Sequence, residues 1–377
     1  MSCFSRYVAL ALALEMVNKK LLDSSELREI VSHTSLRGIA ALLVVFYHYR
    51  GGLPSDFNPD RFTEFFATSD SFVDFFFLLS GFVISYVYTQ SALDGRVDWR
   101  SYFRSRFARI YPLHVLTIIW MCMLFLYRTD TTTLAFPDQL GSNLLLVHAW
   151  GIQDHFALNF PSWSISGEMA AYLVYPFLVL FLFRTPKICW IWLVVVISFV
   201  IISVHEYLVD NEMVRWERIG LMRAIPAFIL GTSIFWFRGI SKSIPDKFLT
   251  AIQFALAFAL FSLLHFGADL VFLTPLFAAL ILVTWEDRGS VARFLSFAPL
   301  YKLGLLSYTI YLTHVPVRAT GYIVWPKIAG WLPDPWNKVF FVVACTCTTI
   351  SISWVTYRYF EIPARDFLRR KGNFLRA

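Results

Sequence analysis

Ser35-Leu36-Arg37-Gly38-Ile39-Ala40-Ala41-Leu42-Leu43-Val44-Val45-Phe46-Tyr47-His48-Tyr49-Arg50 is the stretch on which the reading of this chain turns. A cation at Arg37 is followed by ten uncharged residues and then by His48. A run this apolar suits a bilayer-spanning helix. Arg37 and His48 are eleven positions apart, which on a helix is about three turns and roughly 16 Å along the axis. At about 100° per residue they differ by only about 20° around the axis, so both point the same way. An arginine at the mouth of a membrane helix and a histidine deeper on the same face describe a track. An anionic group is held at one end while chemistry happens at the other.

The rest of the chain fits a membrane setting. Of 377 residues, 57% are hydrophobic and 16% charged, with a mean hydropathy of +0.58; soluble domains are about a quarter charged. Aromatics reach 18%, with 38 Phe. The expected fold class is all-α: a polytopic integral membrane protein with about ten transmembrane helices around a polar cavity. Apolar length and loop charge place spans near 34–49, 72–90, 111–127, 164–183, 188–205, 219–237, 248–266, 270–285, 303–325 and 339–358. The net charge of +7 lies beside these spans, as in cytoplasmic loops, and is not a nucleic-acid signal. With ten spans, roughly 24 of the 33 Lys and Arg fall on the side of the termini, which the positive-inside rule makes cytoplasmic. The apolar segment 141–150 is too short to cross; counting it as a span scrambles that bias, so it is expected as a re-entrant or surface segment outside.

Three regions follow: residues 1–30 as a cytoplasmic segment with an interfacial helix rather than a removable signal peptide, 31–365 as one transmembrane domain, and 366–377 as a basic cytoplasmic tail. No solenoid-type repeat is visible. Cys3, Cys122, Cys189, Cys345 and Cys347 show no metal or redox spacing and read as small buried hydrophobes.

Ionisable residues inside apolar spans usually face an interior cavity. Asp74 sits in an aromatic wall, Phe72-Val73-Asp74-Phe75-Phe76-Phe77, where a carboxylate is costly without a partner. Arg104, Arg106 and Arg109 lie in the most basic loop, and a turn's spacing lets Arg106 and Arg109 face one anion with forked contacts; ordinary topology-setting charge fits the same residues. Glu168 falls in the first turns of a helix entering from outside, where the helix dipole alone also favours it. Arg223 lies in another span. His314 and Arg318 are four apart and share a face, although a membrane histidine is also a common hydrogen-bonded packing residue. No P-loop, dinucleotide glycine pattern, nucleophile elbow or intra-span metal pair appears. What remains is a histidine and a glutamate capable of proton transfer, behind an arginine-lined cytoplasmic entrance. That suits group transfer from a phosphate-bearing donor to a hydroxyl.

These residues resemble the membrane-bound acyltransferase-3 family. The resemblance rests on Arg37 with His48, Asp74-Phe-Phe-Phe-Leu-Leu-Ser80-Gly81-Phe82, Arg106-Phe-Ala-Arg109-Ile-Tyr-Pro112, Ser162-Trp163-Ser164-Ile165-Ser166-Gly167-Glu168 and Ser307-Tyr308-Thr-Ile-Tyr311-Leu-Thr-His314. It runs from about residue 33 to 365. It implies about ten helices and an acyl-CoA-dependent O-acyltransferase of the bacterial inner membrane, with both termini cytoplasmic. The donor would be acetyl-CoA or another acyl-CoA, with no metal. The acceptor would be a lipid-linked or exported glycan such as O-antigen, lipopolysaccharide, capsule, exopolysaccharide or a Nod-type oligosaccharide.

The resemblance makes Arg37 and His48 essential and sets Glu168 in the active centre; the expected catalytic groups are His48 as the base, supported by Glu168 or Asp74. Arg37, Arg104, Arg106 and Arg109 are the expected CoA contacts. Trp163, Ser164, Tyr172, His314 and Arg318 are the expected acceptor contacts. Gly167 and Met169 beside the glutamate depart from the family's habit of an acidic or bulky neighbour, which bears on acceptor preference. No fused extracytoplasmic hydrolase-type domain is expected. The rival class is a transporter or flippase for an anion or lipid-linked sugar, which explains buried ions equally well; against it, no inverted repeat or matched pair of broken helices is visible.

Overall fold

A computed structural model describes residues 28–128, 136–156, 158–184 and 188–370. Most of the interfacial helix expected in 1–30, and residues 371–377 of the basic tail, lie outside the described residues. Among the described residues the regular structure is helical, with no strand.

Each expected apolar stretch is helical: α1 (Val31–Tyr49), α2 (Phe72–Leu93), α3 (Trp99–Arg128), then, after a short α4 (Phe136–Leu144), α5 (Trp163–Phe183), α6 (Ile188–Asp210), α7 (Gly220–Ile234), α8 (Asp246–His265) and α9 (Leu270–Thr284). The stretch expected as one span at 303–325 is divided at Leu306 into α10 (Ala298–Leu305) and α11 (Ser307–Ala329); α12 (Trp336–Thr356) continues through a π turn (Tyr357–Glu361) into α13 (Ile362–Arg370). Among the described residues, seven helical stretches are long and apolar enough to cross a membrane, and α9 is a shorter apolar helix. α1 and α11 fall outside that set. Segment 141–150 is the end of α4 followed by turns.

One expectation needs correcting. The basic stretch read as a loop is the start of α3. Asp98 begins it, its Oδ1 accepting from the backbone N–H of Arg100 at 3.1 Å and of Ser101 at 3.3 Å. Cap and helix together put Arg100, Arg104, Arg106 and Arg109 on a rigid rod. The 30 residues of α3 extend about 45 Å, beyond a hydrocarbon core of about 30 Å. Charged turns at one end therefore need not enter lipid.

Two backbone contacts through glycine set the geometry. A Cβ at Gly81 of α2 would fall onto the Phe228 carbonyl of α7, and one at Gly231 onto the Leu78 carbonyl. α2 and α7 therefore touch backbone to backbone, and Phe75, Phe82, Phe228, Phe235 and Phe277 fill the core around them. Gly38 and Gly304 bring α1 against α10 in the same way. α1 is also fixed at its start. Asp287 accepts from the N–H of Ser32 at 2.8 Å and of Val31 at 3.2 Å, while Ser32 Oγ donates to the Thr284 carbonyl at 2.7 Å. His33 Nε2 lies 3.0 Å from the Ile281 carbonyl. These bonds fix the rotation of α1, and with it the directions of Arg37 and His48.

Candidate active site

α1 delivers Arg37 into a cavity between the helices. α3 contributes Arg106 and Arg109, α5 contributes Ser164, Glu168 and Tyr172, α2 contributes Phe76 and Ser80, and α11 contributes Ser307, Tyr308 and Tyr311. The three arginines are half-buried. Among the described residues no carboxylate lies within ion-pairing distance of any of them. Arg37 and Arg109 repel each other, and both are attracted by Glu168 and Glu361. Arg106 stands over the rings of Tyr88 and Tyr172 at 5.8 and 5.9 Å. Held cations without partners make an anion site, and guanidinium forks match phosphate. Arg104 is half-buried on the same helix but is not among the lining residues.

Glu168 is the carboxylate of this lining. Ser80 Oγ donates to its Oε1 at 3.1 Å, and the Tyr172 hydroxyl donates to the same oxygen. Ser164 Oγ and the Tyr311 hydroxyl are 2.8 Å apart, and each reaches the Pro161 carbonyl at 3.0 Å. Tyr308 donates to the Ile110 carbonyl at 2.5 Å.

Asp74 is placed elsewhere. It is fully buried, and its Oδ2 accepts from Arg223 Nε at 2.7 Å, with Nη2 at 2.6 Å. Of the two carboxylates expected to support His48, Asp74 is bonded to Arg223, and this pair answers the cost of a carboxylate in an aromatic wall. Trp163 belongs to the same neighbourhood. Arg223 stands 5.6 Å from its ring, and Phe77 and Trp216 pack edge-on against it. It too is not among the cavity-lining residues.

His48 lies on α1 beyond the arginine cavity and is not among its lining residues. Its Nδ1 is 2.9 Å from the Val44 carbonyl and 3.2 Å from His314 Nε2. Arg318 donates to the His48 carbonyl, and Phe160 packs edge-on against the imidazole at 5.2 Å. Tyr311 stands between the two ends of the site: it lines the cavity with Phe76, and its ring centre is 5.9 Å from that of His314. The structure therefore brings Arg37, Arg106, Arg109, Glu168, Tyr172 and Ser164 together at one end, and His48, His314 and Arg318 at the other.

Several participants went unread in the sequence. Ser80 and Tyr308 stand in the sequence only as members of motifs. Glu361 accepts from Thr309 Oγ1 at 2.7 Å and acts on Arg37 and Arg109. Arg369 is close enough to Arg106 and Arg109 to repel both. The four-residue spacing of Arg365 and Arg369 in a strongly amphipathic stretch was the available signal.

The acyltransferase domain profile matches residues 33–358. The chain is similar to acyltransferase MdmB of Streptomyces mycarofaciens, 38% identical over 28% of this chain and 27% of that protein. It is similar to O-acetyltransferase OatA of Staphylococcus aureus, 23% identical over 81% of this chain and 55% of that protein. It is also similar to peptidoglycan O-acetyltransferase OatA of Listeria monocytogenes, 25% identical over 88% and 55% respectively. The chain thus spans about half the length of the two O-acetyltransferases. No solved structure matches it. With a profile covering most of its length and a set of apolar helices long enough to cross a bilayer, the chain belongs to the acyltransferase domain family and is a multi-pass membrane protein.

Proposed function

We propose that this protein is an O-acyltransferase of the bacterial inner membrane, both termini cytoplasmic. It moves an acyl group, acetyl in the first instance, from cytoplasmic acyl-CoA to a hydroxyl of a cell-surface or exported glycan. One observation carries the reading: Arg37, Arg106 and Arg109 line one cavity without ion-pair partners among the described residues, and Arg37 is supplied by the helix that also carries His48. The names of the O-acetyltransferase relatives support the acceptor class.

In this reading the arginines hold the donor's phosphates, and the thioester extends past Tyr311 toward His48. The glycan hydroxyl attacks the thioester carbonyl. A C–O ester bond forms, the C–S bond breaks, and His48 takes the hydroxyl proton and returns it to the departing thiolate, so CoA leaves as the free thiol. General-base help of this kind is worth about 10²- to 10⁴-fold. Glu168, tied to Ser80 and Tyr172, orders the donor end, and Asp74 holds Arg223. The test is His48→Ala. The variant should insert in the membrane and bind acyl-CoA as the wild type does, yet leave glycan unacylated; retained acylation removes His48 from the mechanism.

A further inference from the structure

His48 and His314 meet across α1 and α11, with ring centres 4.9 Å apart and Nδ1 of the first 3.2 Å from Nε2 of the second. Their neighbours decide where the protons are. A carbonyl oxygen only accepts, so a ring nitrogen bonded to one must carry a hydrogen. His314 Nδ1 is 2.5 Å from the Tyr311 carbonyl. That nitrogen is N–H, and in the neutral ring Nε2 is the acceptor. His48 Nδ1 is 2.9 Å from the Val44 carbonyl, so it also carries its hydrogen, shared between Val44 and His314 Nε2. The two assignments agree: every N–H in the pair meets an acceptor. The lone pair of His48 is left on Nε2, which has no hydrogen-bond partner among the described residues.

We propose that His314 is a positioning residue for His48: a neutral imidazole that accepts from His48 Nδ1–H and so presents the Nε2 lone pair as the base. This is the part a carboxylate plays in a Ser-His-Asp triad. It rests on the acyl-transfer reading for what the lone pair does, and on the hydrogen-bond geometry alone for the tautomer. The surroundings favour a neutral partner. Arg318 already bonds the His48 carbonyl, and a carboxylate in place of His314 would be drawn to that guanidinium. His314 is fully buried, and the Tyr49 hydroxyl holds its carbonyl at 2.7 Å. When Nε2 of His48 takes a proton, its Nδ1–H becomes a charge-assisted donor and the bond to His314 strengthens. The pair therefore favours the state in which the hydroxyl has lost its proton.

Two measurements test this. In His314→Gln the side-chain carbonyl can stand where Nε2 stood; in His314→Leu no acceptor remains. The expected result is a Gln variant within about 3-fold of wild-type kcat and a Leu variant lower by about 10²- to 10⁴-fold, the span of general-base catalysis, with KM for acyl-CoA unchanged. Equal losses in both variants, or a Leu variant at wild-type kcat, would overturn the assignment. The second measurement needs no variant to stay active. Nitrogen NMR of histidine-labelled wild-type protein, with the His48 signals identified by their loss in His48→Gln, should show Nδ1 protonated and Nε2 bare. An Nε2–H tautomer for His48 overturns the proposal. A wild-type protein without acyltransferase activity would remove the proposed function and leave the tautomer result standing.

Discussion

Arg223 and Asp74 are joined across α7 and α2 by an ion pair of 2.6 Å, with Asp74 wholly shielded from solvent and its Oδ1 without a partner among the described residues. Arg223 also reaches Asp70, donating to its carbonyl at 3.1 Å and lying 3.2 Å from its carboxylate. One guanidinium therefore ties down the start of α2, the helix that carries Ser80 into the cavity.

Removing one member of a buried pair strands the other charge, at a cost of about 3–5 kcal/mol, whereas replacing both by apolar groups is often close to neutral. Arg223→Met is expected to lower the melting temperature in detergent sharply. Asp74→Leu combined with Arg223→Met should recover most of that loss and, because Asp74 takes no part in the proton transfer, most of the activity. Thermal unfolding and acyl transfer on the two variants check this. A stable but inactive double variant would return Asp74 to the chemistry.

Gly231 lies against the Leu78 backbone, which cannot give way as a flexible side chain does. Gly231→Ala is expected to destabilise by about 1–3 kcal/mol, the usual penalty for overpacking. Gly141 in α4 has open space around it, so Gly141→Ala should be neutral or raise stability by up to about 1 kcal/mol through helix propensity. Melting temperatures of the two variants, measured side by side, test the close approach of α2 and α7.

Arg106 lines the cavity and Arg104, two residues earlier on the same helix, does not. Arg106→Ala should weaken CoA binding at least about 10-fold, the loss of one charge-assisted contact of 1.5–3 kcal/mol. It should also flatten the dependence of affinity on salt. Arg104→Ala should stay within about 3-fold, as for a screened surface charge. Calorimetric titration of CoA at two salt concentrations reads both. Equal losses would move the phosphate site out of the cavity.

The spans were legible because lipid demands long apolar runs, and hydropathy reads such runs directly. The start of α3 was not, since arginine is a good helix former that apolar length cannot see; Asp98, accepting from two N–H groups ahead of it, was the readable cap. The break at Leu306 lies two residues after Gly304, the glycine through which α10 meets α1, and apolar length does not report it. Arg37 and His48 stand out in the sequence by their spacing. That Arg37 lines the cavity and His48 does not was not legible, because Tyr311 and Phe76 come from other helices. The contact between His48 and His314 joins residues 266 positions apart, and no local pattern reports it.

The most direct test is thiol release by the purified wild-type protein in detergent, with acetyl-CoA as donor and a soluble glycan as acceptor, run beside His48→Ala. The account predicts free CoA and O-acetyl glycan in equal amounts from the wild type, and neither above background from the variant. Intact acetyl-CoA with the wild type, or equal turnover by both proteins, would contradict it.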